Sequence, residues 1–426
     1  MRWRLAGIAA LAAAVAVRAA IAAPAPFRSF AALAIAPDGS RIALLETDVP
    51  PGGGEGRSHL VLRDAATGAP TEIALPCGDD PECSPGAPAW SPDSKRVAFT
   101  VRQPGSLART IYTADANGGD LRRVAAFDGT VITLRYSRAG QLAALAVQNA
   151  NKEAGASQAG APLAGTVGAD IREQRIAVVD GDHLRWASPP DLFVYEYAWL
   201  PDGSGFVGTA SPGDGDSQWW VAKLYGFDGA SGAARLIYGP KDRRQQITFP
   251  RVSPNGKSVA FIGGLMSDFG ASGGDAFLVP VAGGEPANVT PGLHASVTSL
   301  AFACDGQGLI AGLQLGGEVG VARLRSDGEA PETLWQGAVS LFASDGVLSQ
   351  ACGAGPMTAT IAESFDAADE VIAGPIGAWQ RIMHENGAAQ SAARAIDVHW
   401  RNDGMDMQGW LLLPRQGAAA PMPLVT

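Results

Sequence analysis

The fold is predicted from the ten residues Ile35-Ala-Pro-Asp-Gly-Ser-Arg-Ile-Ala-Leu44, because their pattern recurs between residues 35 and 348. Apolar residues stand on both sides of a Pro-Asp-Gly turn. Proline presets its own φ angle, aspartate caps the turn locally, and glycine accepts a positive φ. Short apolar runs on either side of such a turn are typical of buried strands. Each copy of the pattern therefore predicts a β-hairpin.

Seven copies of this pattern follow one another, spaced roughly 40–60 residues apart, which is the period of a propeller. The four clear copies are 35–44, 90–99, 199–207 and 252–261, and the three degenerate copies are 136–143, 302–310 and 342–348. A second strand-and-turn signal follows each copy, as in Leu60–Gly68 and Ile111–Gly119. Two hairpins make a four-stranded antiparallel unit, which is one propeller blade. The sequence thus predicts an all-β fold, a seven-bladed β-propeller over residues 23–395.

The composition agrees with such a fold and excludes several others. The chain has 426 residues, 46% of them apolar, with 54 glycines and 29 prolines that supply the turns. The net charge is −10, and no basic run occurs. Because contacts to phosphates need clustered lysine and arginine, we expect no nucleic-acid partner. One segment without a strand pattern, Asn149–Ala169, is interpreted as a flexible insertion in the third blade.

Residues 1–22 have the features of a secretory signal peptide. Two arginines precede the apolar stretch Leu5–Val17, and Ala20-Ile-Ala22 fits a small-residue cleavage site. The alternative is an uncleaved N-terminal anchor. The prediction is a periplasmic or secreted protein that is not held by the membrane after the signal is removed.

Export would allow disulfides to form, and the chain has four cysteines, which allow three pairings. The short polar turn between Cys77 and Cys83 favours a local bridge. Cys304 and Cys352 would then form the second pair. A zinc site is the weaker alternative, because the sequence contains no Cys-x-x-Cys and no histidine at ligand spacing. We therefore expect neither a metal nor a cofactor.

The pattern changes after the seventh blade, in residues 396–426. Asp397–Pro414 predicts a hairpin outside the blade register, and Pro423-Leu-Val425 begins an apolar strand. With Asp403-Gly404 and Gly409-Trp-Leu411, this segment resembles the junction between propeller and α/β-hydrolase domain in prolyl oligopeptidase family serine peptidases, the acylaminoacyl-peptidase and dipeptidyl-peptidase-like members in particular.

Two internal segments add to this resemblance. They are Phe261–Asp268 with Gly273-Gly-Asp275, and Asn288-Val-Thr-Pro-Gly292. The resemblance covers nearly all of 27–426. It implies that residues 396–426 are a linker and the first strands of a truncated α/β-hydrolase domain. The catalytic serine, aspartate and histidine of the family would lie beyond residue 426, so no catalytic residue is assigned here.

Three further segments contain residue types that occur in functional sites. The stretch Gly270-Ala-Ser-Gly-Gly274 matches Gly-x-Ser-x-Gly literally, but a nucleophile elbow is followed by a helix and here a strand follows, so we interpret it as a glycine loop. Glu196 and Asp268 are the candidate substrate-binding residues. Glu196 would anchor a substrate amine, as propeller glutamates do in related aminopeptidases, or else be an ordinary strand-edge carboxylate. Asp268 would face the channel or the interdomain cavity, or else cap a turn.

The functional expectation is a substrate-gating propeller of a secreted peptidase that cleaves short peptides through an acyl-serine intermediate. Its partners would be the oligopeptide substrate and the chain's own missing hydrolase domain, and the 426 residues alone would be inactive. The alternative is a non-enzymatic, TolB-like periplasmic scaffold that binds protein partners, since similar repeats occur there. Residues 397–426 favour the peptidase.

Overall fold

The computed structural model describes residues 27–415, with gaps at 51–53, 55, 107, 149–172, 214, 243, 267–272, 354, 388–390 and 392. Within these ranges the chain forms seven antiparallel blades, each made from one contiguous stretch, and one separate hairpin. The predicted seven-bladed propeller with four-stranded blades is confirmed. The predicted signal peptide, the insertion 149–169 and residues 416–426 of the predicted hydrolase portion lie outside the described residues.

The strands of each blade run outward from the centre in chain order. Blade 1 has β1 (Phe27–Ile35), β2 (Arg41–Val49), β3 (Arg57–Asp64) and β4 (Pro70–Glu72); blade 2 has β5 (Ser84–Trp90), β6 (Arg96–Arg102), β7 (Arg109–Asp115) and β8 (Arg122–Phe127). Blade 3 has β9 (Gly129–Tyr136), β10 (Leu142–Gln148), β11 (Glu173–Asp180) and β12 (His183–Trp186); blade 4 has β13 (Leu192–Trp199), β14 (Gly205–Pro212), β15 (Lys223–Asp228) and β16 (Ala234–Tyr238). A short 3₁₀ helix, Gly215–Val221, joins β14 to β15.

The remaining blades follow the same order. Blade 5 has β17 (Gln246–Val252), β18 (Ser258–Gly264), β19 (Asp275–Pro280) and β20 (Ala287–Asn288); blade 6 has β21 (Ser296–Phe302), β22 (Leu309–Leu315), β23 (Glu318–Leu324) and β24 (Glu332–Gly337). Blade 7 has β25 (Ser340–Phe342), β26 (Ser349–Ala351), β27 (Met357–Ser364), β28 (Ala367–Gly374) and β29 (Gln380–Arg381), and the hairpin is β30 (Ala393–Asn402) with β31 (Met405–Pro414).

The core is divided among the interfaces between blades. Each of the seven neighbouring pairs, including blade 7 with blade 1, shares a cluster of buried apolar side chains. The second strand of a blade lies between two such clusters and is buried on both faces, as in β10, Leu142–Gln148, where six successive residues are buried. Because burial of apolar area drives folding, stacking of the blades supplies the stability that one blade alone lacks.

The repeated turns have the geometry that the sequence predicts. In blade 1 Gly39 has φ of 80°, and the Asp38 carboxylate accepts a 2.9 Å hydrogen bond from the Ser40 N–H. Blade 2 has Ser94 at the glycine position, with φ of 59°. The Ser94 hydroxyl accepts a 3.0 Å bond from the Asp38 N–H of the neighbouring turn. This bond offsets the cost of a positive φ in a residue with a Cβ.

The seventh copy of the repeat does not form the hairpin that the sequence predicts. Residues 342–348 instead interrupt the inner strand of blade 7, and both halves, β25 and β26, pair with β27. A bridge between Ala343 and Gly346 closes the interrupting turn. The first-to-second strand connection of this blade lies ten residues later, at 352–356. The prediction was wrong because an Asp-Gly turn can bulge a strand as well as end it.

The ring closes between blades 1 and 7 without sharing a strand. A group of charged residues, which we call the seam cluster, joins the two blades: Arg28, Glu46, Arg63 and Glu385. Arg63 donates to both Glu46 oxygens at 2.7 and 2.8 Å and to Glu385 at 2.8 Å, and Arg28 donates to Glu46 at 2.9 Å. Asn386 adds two bonds to the backbone of Arg28, at 2.8 and 2.7 Å.

The propeller has two different ends. One, the turn end, carries the short connections between first and second strands. The other, the loop end, carries the connections between second and third strands and both ends of the ring, near Phe27 and Arg381. The hairpin β30–β31 lies at the loop end, where Arg415 bonds to Asp366 at 2.9 Å. The hairpin begins at Ala393, so the predicted boundary at 395/396 falls inside its first strand.

Two disulfides are present, Cys77–Cys83 and Cys304–Cys352. The first closes a loop between blades 1 and 2. The second joins blade 6 to blade 7 at the turn end. In the described part of the chain no helix is long and apolar enough to cross a bilayer.

Candidate functional site in the central channel

The inner strands that line the channel are all irregular near their middles. Six of the seven contain a register shift against the second strand, and the seventh is interrupted by the turn at 343–346. A bulge adds residues on one strand and redirects side chains. Beyond the bulges, toward the turn end, the strands return to regular pairing. Residues of the bulges and of these regular segments together line a cavity of about 610 Å³.

One position of the repeat forms a ring around this cavity. Each blade contributes one inner-strand residue to the wall of the cavity, and each of these residues pairs with a residue of the second strand. They are Ala34, Ala89, Arg135, Ala198, Arg251, Ala301 and Ser349. We call these seven residues the channel ring. Five have small side chains and leave room, and two are arginines. The two arginines, in blades 3 and 5, therefore extend into space that the small residues leave open.

Asp345 from blade 7 completes a group that we call the channel cluster: Arg135, Arg251 and Asp345. A terminal nitrogen of Arg135 lies 2.5 Å from Asp345 Oδ1. This ion pair joins blades 3 and 7 through two residues that are 210 positions apart in the sequence. Arg251 is less well paired. It donates to the backbone oxygens of Pro250 and Asp345 at 3.1 and 3.2 Å, and lies 4.0 Å from Asp345 Oδ1.

The electrostatics of the channel cluster follow from two cations sharing one carboxylate. Burial alone would raise the pKa of Asp345, but Arg135 and Arg251 outweigh it and lower the pKa. Burial lowers the pKa of Arg251, and repulsion from Arg135 lowers it further. Burial would lower the pKa of Arg135, but Asp345, Tyr197 and Glu196 together outweigh it and raise the pKa. Of the two arginines in the channel cluster, Arg251 therefore has the less compensated charge.

Aromatic side chains form part of the cavity wall. Trp90 and Trp199 each follow a channel-ring residue. Each donates its indole N–H to the backbone oxygen of the channel-ring residue in the preceding blade, Trp90 to Ala34 and Trp199 to Arg135, both at 3.0 Å. Their polar groups are therefore satisfied within the protein. Trp90 is buried and Trp199 is half-buried, so Trp199 supplies the aromatic surface of the wall. Ile132 of the blade 3 bulge adds to this wall.

The structure places Glu196 beside the channel, on β13, with its carboxylate turned toward blade 5. That carboxylate accepts bonds from the hydroxyls of Thr209 and Thr248 at 3.1 and 3.0 Å, and from the Phe249 N–H at 3.0 Å. The free space next to it is about 10 Å³, room for one water at most. Glu196 thus links blades 4 and 5; its binding of a substrate amine stays a prediction.

Asp268 lies outside the described residues, as does most of the Gly270–Gly274 loop. Strand β19 does follow that loop. Among the described residues, no group of three or more histidine, cysteine or acidic side chains could hold a metal ion.

Sequence reasoning did not identify the channel cluster. A signal was present, because aligning the copies on their turns brings Arg135 and Arg251 to a position that is alanine in four other copies. A large cation at a position otherwise kept small is unusual enough to single out both residues. Asp345 cannot be placed in the channel from the sequence, since its copy of the repeat predicts a hairpin.

Neither a scan against protein-family models nor a search of curated proteins found a match. Solved structures do match. Acylaminoacyl peptidase of Pyrococcus horikoshii is 12% identical with a TM-score of 0.64, over 92% of this chain and 58% of that one. A puromycin-hydrolyzing peptidase of Mycobacterium tuberculosis is 13% identical with a TM-score of 0.64, over 89% and 58%.

A third structure contains only a propeller. The β-propeller domain of the trilobed protease from Pyrococcus furiosus, described as having an open velcro topology, is 12% identical with a TM-score of 0.57, over 84% of this chain and 99% of that domain. By contrast, this chain spans 58% of the length of each of the two peptidases named above. At these identities the likeness concerns the fold, and the chain has the seven-bladed propeller fold found in the propeller portions of peptidases.

Proposed function

We propose that this chain is the substrate-filtering propeller of a secreted, prolyl-oligopeptidase-like serine peptidase that acts on short peptides. The observation that carries the proposal is the central channel. Its cavity of about 610 Å³ is within the size range of small-ligand sites, and the Arg135–Asp345 ion pair crosses it. A short peptide fits such a space, whereas a folded domain does not.

The hairpin β30–β31 supports a hydrolase domain as the partner at the loop end. Trp400 and Trp410 are 47% and 53% exposed, and Met405 and Leu412 are also exposed. Exposed apolar groups concentrated on one element are typical of an interface. We propose that the hydrolase domain covers this hairpin, so that the propeller stands between solvent and the active site.

The chemistry of cleavage would belong to that domain. A serine activated by histidine, oriented by an acid and assisted by backbone donors, would attack the peptide carbonyl. The propeller would contribute by limiting access of water and of large substrates. Two disulfides support an oxidising compartment, in line with the predicted signal peptide. The similarity to peptidases favours this function over the non-enzymatic scaffold.

The experiment is to express the complete reading frame and compare two substrates that carry the same cleavable sequence. One is a chromogenic tripeptide and the other a folded protein that displays the sequence in a surface loop. We expect hydrolysis of the tripeptide, its loss after treatment with a serine-directed phosphonate, and no cleavage of the folded protein. A stop codon after residue 426 with no His-Gly-Gly segment downstream, or equal cleavage of both substrates, would overturn the proposal.

A further inference from the structure

The two channel arginines have many more donors than the protein satisfies. Together two guanidinium groups offer ten N–H donors. Among the described residues, their bonds are one from Arg135 to Asp345, and those of Arg251 to the backbone oxygens of Pro250 and Asp345. The Nε of Arg135 is buried and has no partner. The side chains of Arg135 and Arg251 are 28% and 16% exposed, so an acceptor in the cavity can reach their terminal nitrogens.

The acceptors near the arginines are already committed. Asp345 is the acidic residue of the cavity wall and is shared between both cations. Glu196 lies behind the wall and attracts both arginines, but its oxygens are taken by Thr209, Thr248 and the Phe249 amide. The two arginines therefore offer unmet hydrogen-bond donors in an open cavity, without an excess of positive charge around them.

The shape and lining of the cavity define the acceptor that would fit. Ala198 lies in blade 4, between the blades of the two arginines, and lines the cavity with a small side chain. A planar carboxylate matches the fork of a guanidinium and accepts two parallel bonds. The neighbouring wall of Trp199 and Ile132 is apolar and would suit a hydrophobic side chain. An inorganic anion would make no use of that wall.

We propose that Arg135 and Arg251 form a binding site for the carboxylate of a short peptide with a hydrophobic C-terminal residue. When no peptide is present, Asp345 pairs with Arg135 and fills part of this site. A bound peptide places its carboxylate beside Arg251, which Asp345 leaves incompletely paired. That this peptide is a substrate or product of the complete enzyme rests on the proposed function above, whereas the binding itself does not.

Isothermal titration of the purified chain tests the binding without any peptidase activity. The probes are acetyl-Ala-Phe with a free carboxylate, the same dipeptide as its C-terminal amide, and sodium phosphate. Charge-assisted hydrogen bonds contribute enough that the carboxylate form should bind at least about tenfold more tightly than the amide. Its affinity should fall as salt is added, since salt screens the interaction.

Three variants locate the site. Arg251→Gln should weaken binding of the carboxylate by about tenfold or more. Asp345→Asn should strengthen it, because the internal competitor loses its charge. Ala198→Asp should abolish it by placing a carboxylate between the two arginines, which are themselves unchanged. Arg122→Gln is the matched control, since Arg122 is an exposed arginine of blade 2 paired with Asp120, away from the channel, and should leave binding as it is.

The outcomes separate this inference from the proposed function. Equal affinity for the free carboxylate and the amide, phosphate binding alone, or unchanged binding in both Arg251→Gln and Ala198→Asp would overturn it. Circular dichroism spectra and melting curves verify that each variant is folded. If Arg251→Gln does not fold, Ala198→Asp still tests the site, because it retains both arginines. A peptide that binds the chain would uphold the site even if the complete reading frame had no peptidase activity.

Discussion

The propeller contains two charged groups that each bring distant parts of the chain together, and they differ in how completely they are paired. In the seam cluster, Glu46 is 1% exposed and Arg63 is 4% exposed, and both Glu46 oxygens accept bonds from arginine. In the channel cluster, two arginines share Asp345, and the Nε of Arg135 has no partner.

This difference indicates different purposes for the two groups. Buried charges cost desolvation energy that is recovered only with good geometry and full hydrogen bonding, and the seam cluster has both. The seam cluster therefore stabilises the contact between blades 1 and 7. The channel cluster leaves donors unused in an open cavity, which is what a binding site requires before its ligand arrives. Loss of a seam residue should therefore affect stability, and loss of a channel residue should affect binding.

The largest effect on stability should come from Glu46→Leu. This change leaves buried Arg63 without its two-bond partner, and breaking a buried ion pair costs about 3–5 kcal/mol. Urea unfolding followed by tryptophan fluorescence measures the loss. The control is Glu285→Leu, which removes an exposed partner of Lys241 and should cost below about 1 kcal/mol. Equal losses in the two variants would show that the seam cluster does not fasten the ring.

The second effect concerns the other side of blade 7, which the disulfide Cys304–Cys352 joins to blade 6. Its sequence separation is 48, against 6 for Cys77–Cys83. Because a cross-link that closes a longer loop restricts the unfolded chain more, replacing both Cys304 and Cys352 by alanine should cost about 2–4 kcal/mol. The double alanine variant of Cys77 and Cys83 should cost less. The reverse order would contradict the account of how blade 7 is held.

A smaller effect should appear with pH at the seam. Burial alone would raise the pKa of Glu385, but its backbone N–H and Arg63 lower it below its ordinary value. A carboxyl whose pKa is lower in the folded state stabilises the protein above the pKa of the unfolded chain. That stabilisation is lost as the pH falls through the folded value. Melting temperature should therefore decrease below about pH 4.3, the ordinary glutamate pKa.

Glu385→Gln isolates this contribution, because it removes one titrating group and leaves the others in place. Its melting temperature should be lower than that of the unaltered chain at neutral pH, and the difference should shrink toward pH 3. A difference that stays constant with pH would mean that the charge of Glu385 does not stabilise the seam.

The sequence was sufficient to predict the architecture because the repeat is local. A turn such as Pro37-Asp-Gly39 and the apolar runs beside it determine a hairpin within about ten residues, and repetition then determines the blade. The exception, residues 342–348, shows the limit of this argument. A degenerate turn signal does not distinguish the end of a strand from a bulge within it.

The charged groups were out of reach for a different reason. Arg63 and Glu385 are separated by 322 positions and Arg135 and Asp345 by 210, so their contacts exist only after the ring has closed. Glu196 was recognised from its local sequence, but its bonds to Thr248 and Phe249 come from the next blade. No local pattern predicts which charges will be satisfied across blades, and that satisfaction is what separates the seam from the channel.

The seam and the channel are compared in one variant by measuring both stability and carboxylate binding in Arg251→Gln. We expect a loss of unfolding free energy clearly smaller than that of Glu46→Leu, because Arg251 has no two-bond carboxylate partner, together with binding of acetyl-Ala-Phe at least about tenfold weaker. A loss of stability as large as that of Glu46→Leu, with binding of the carboxylate unchanged, would show that Arg251 fastens the fold and does not bind a ligand.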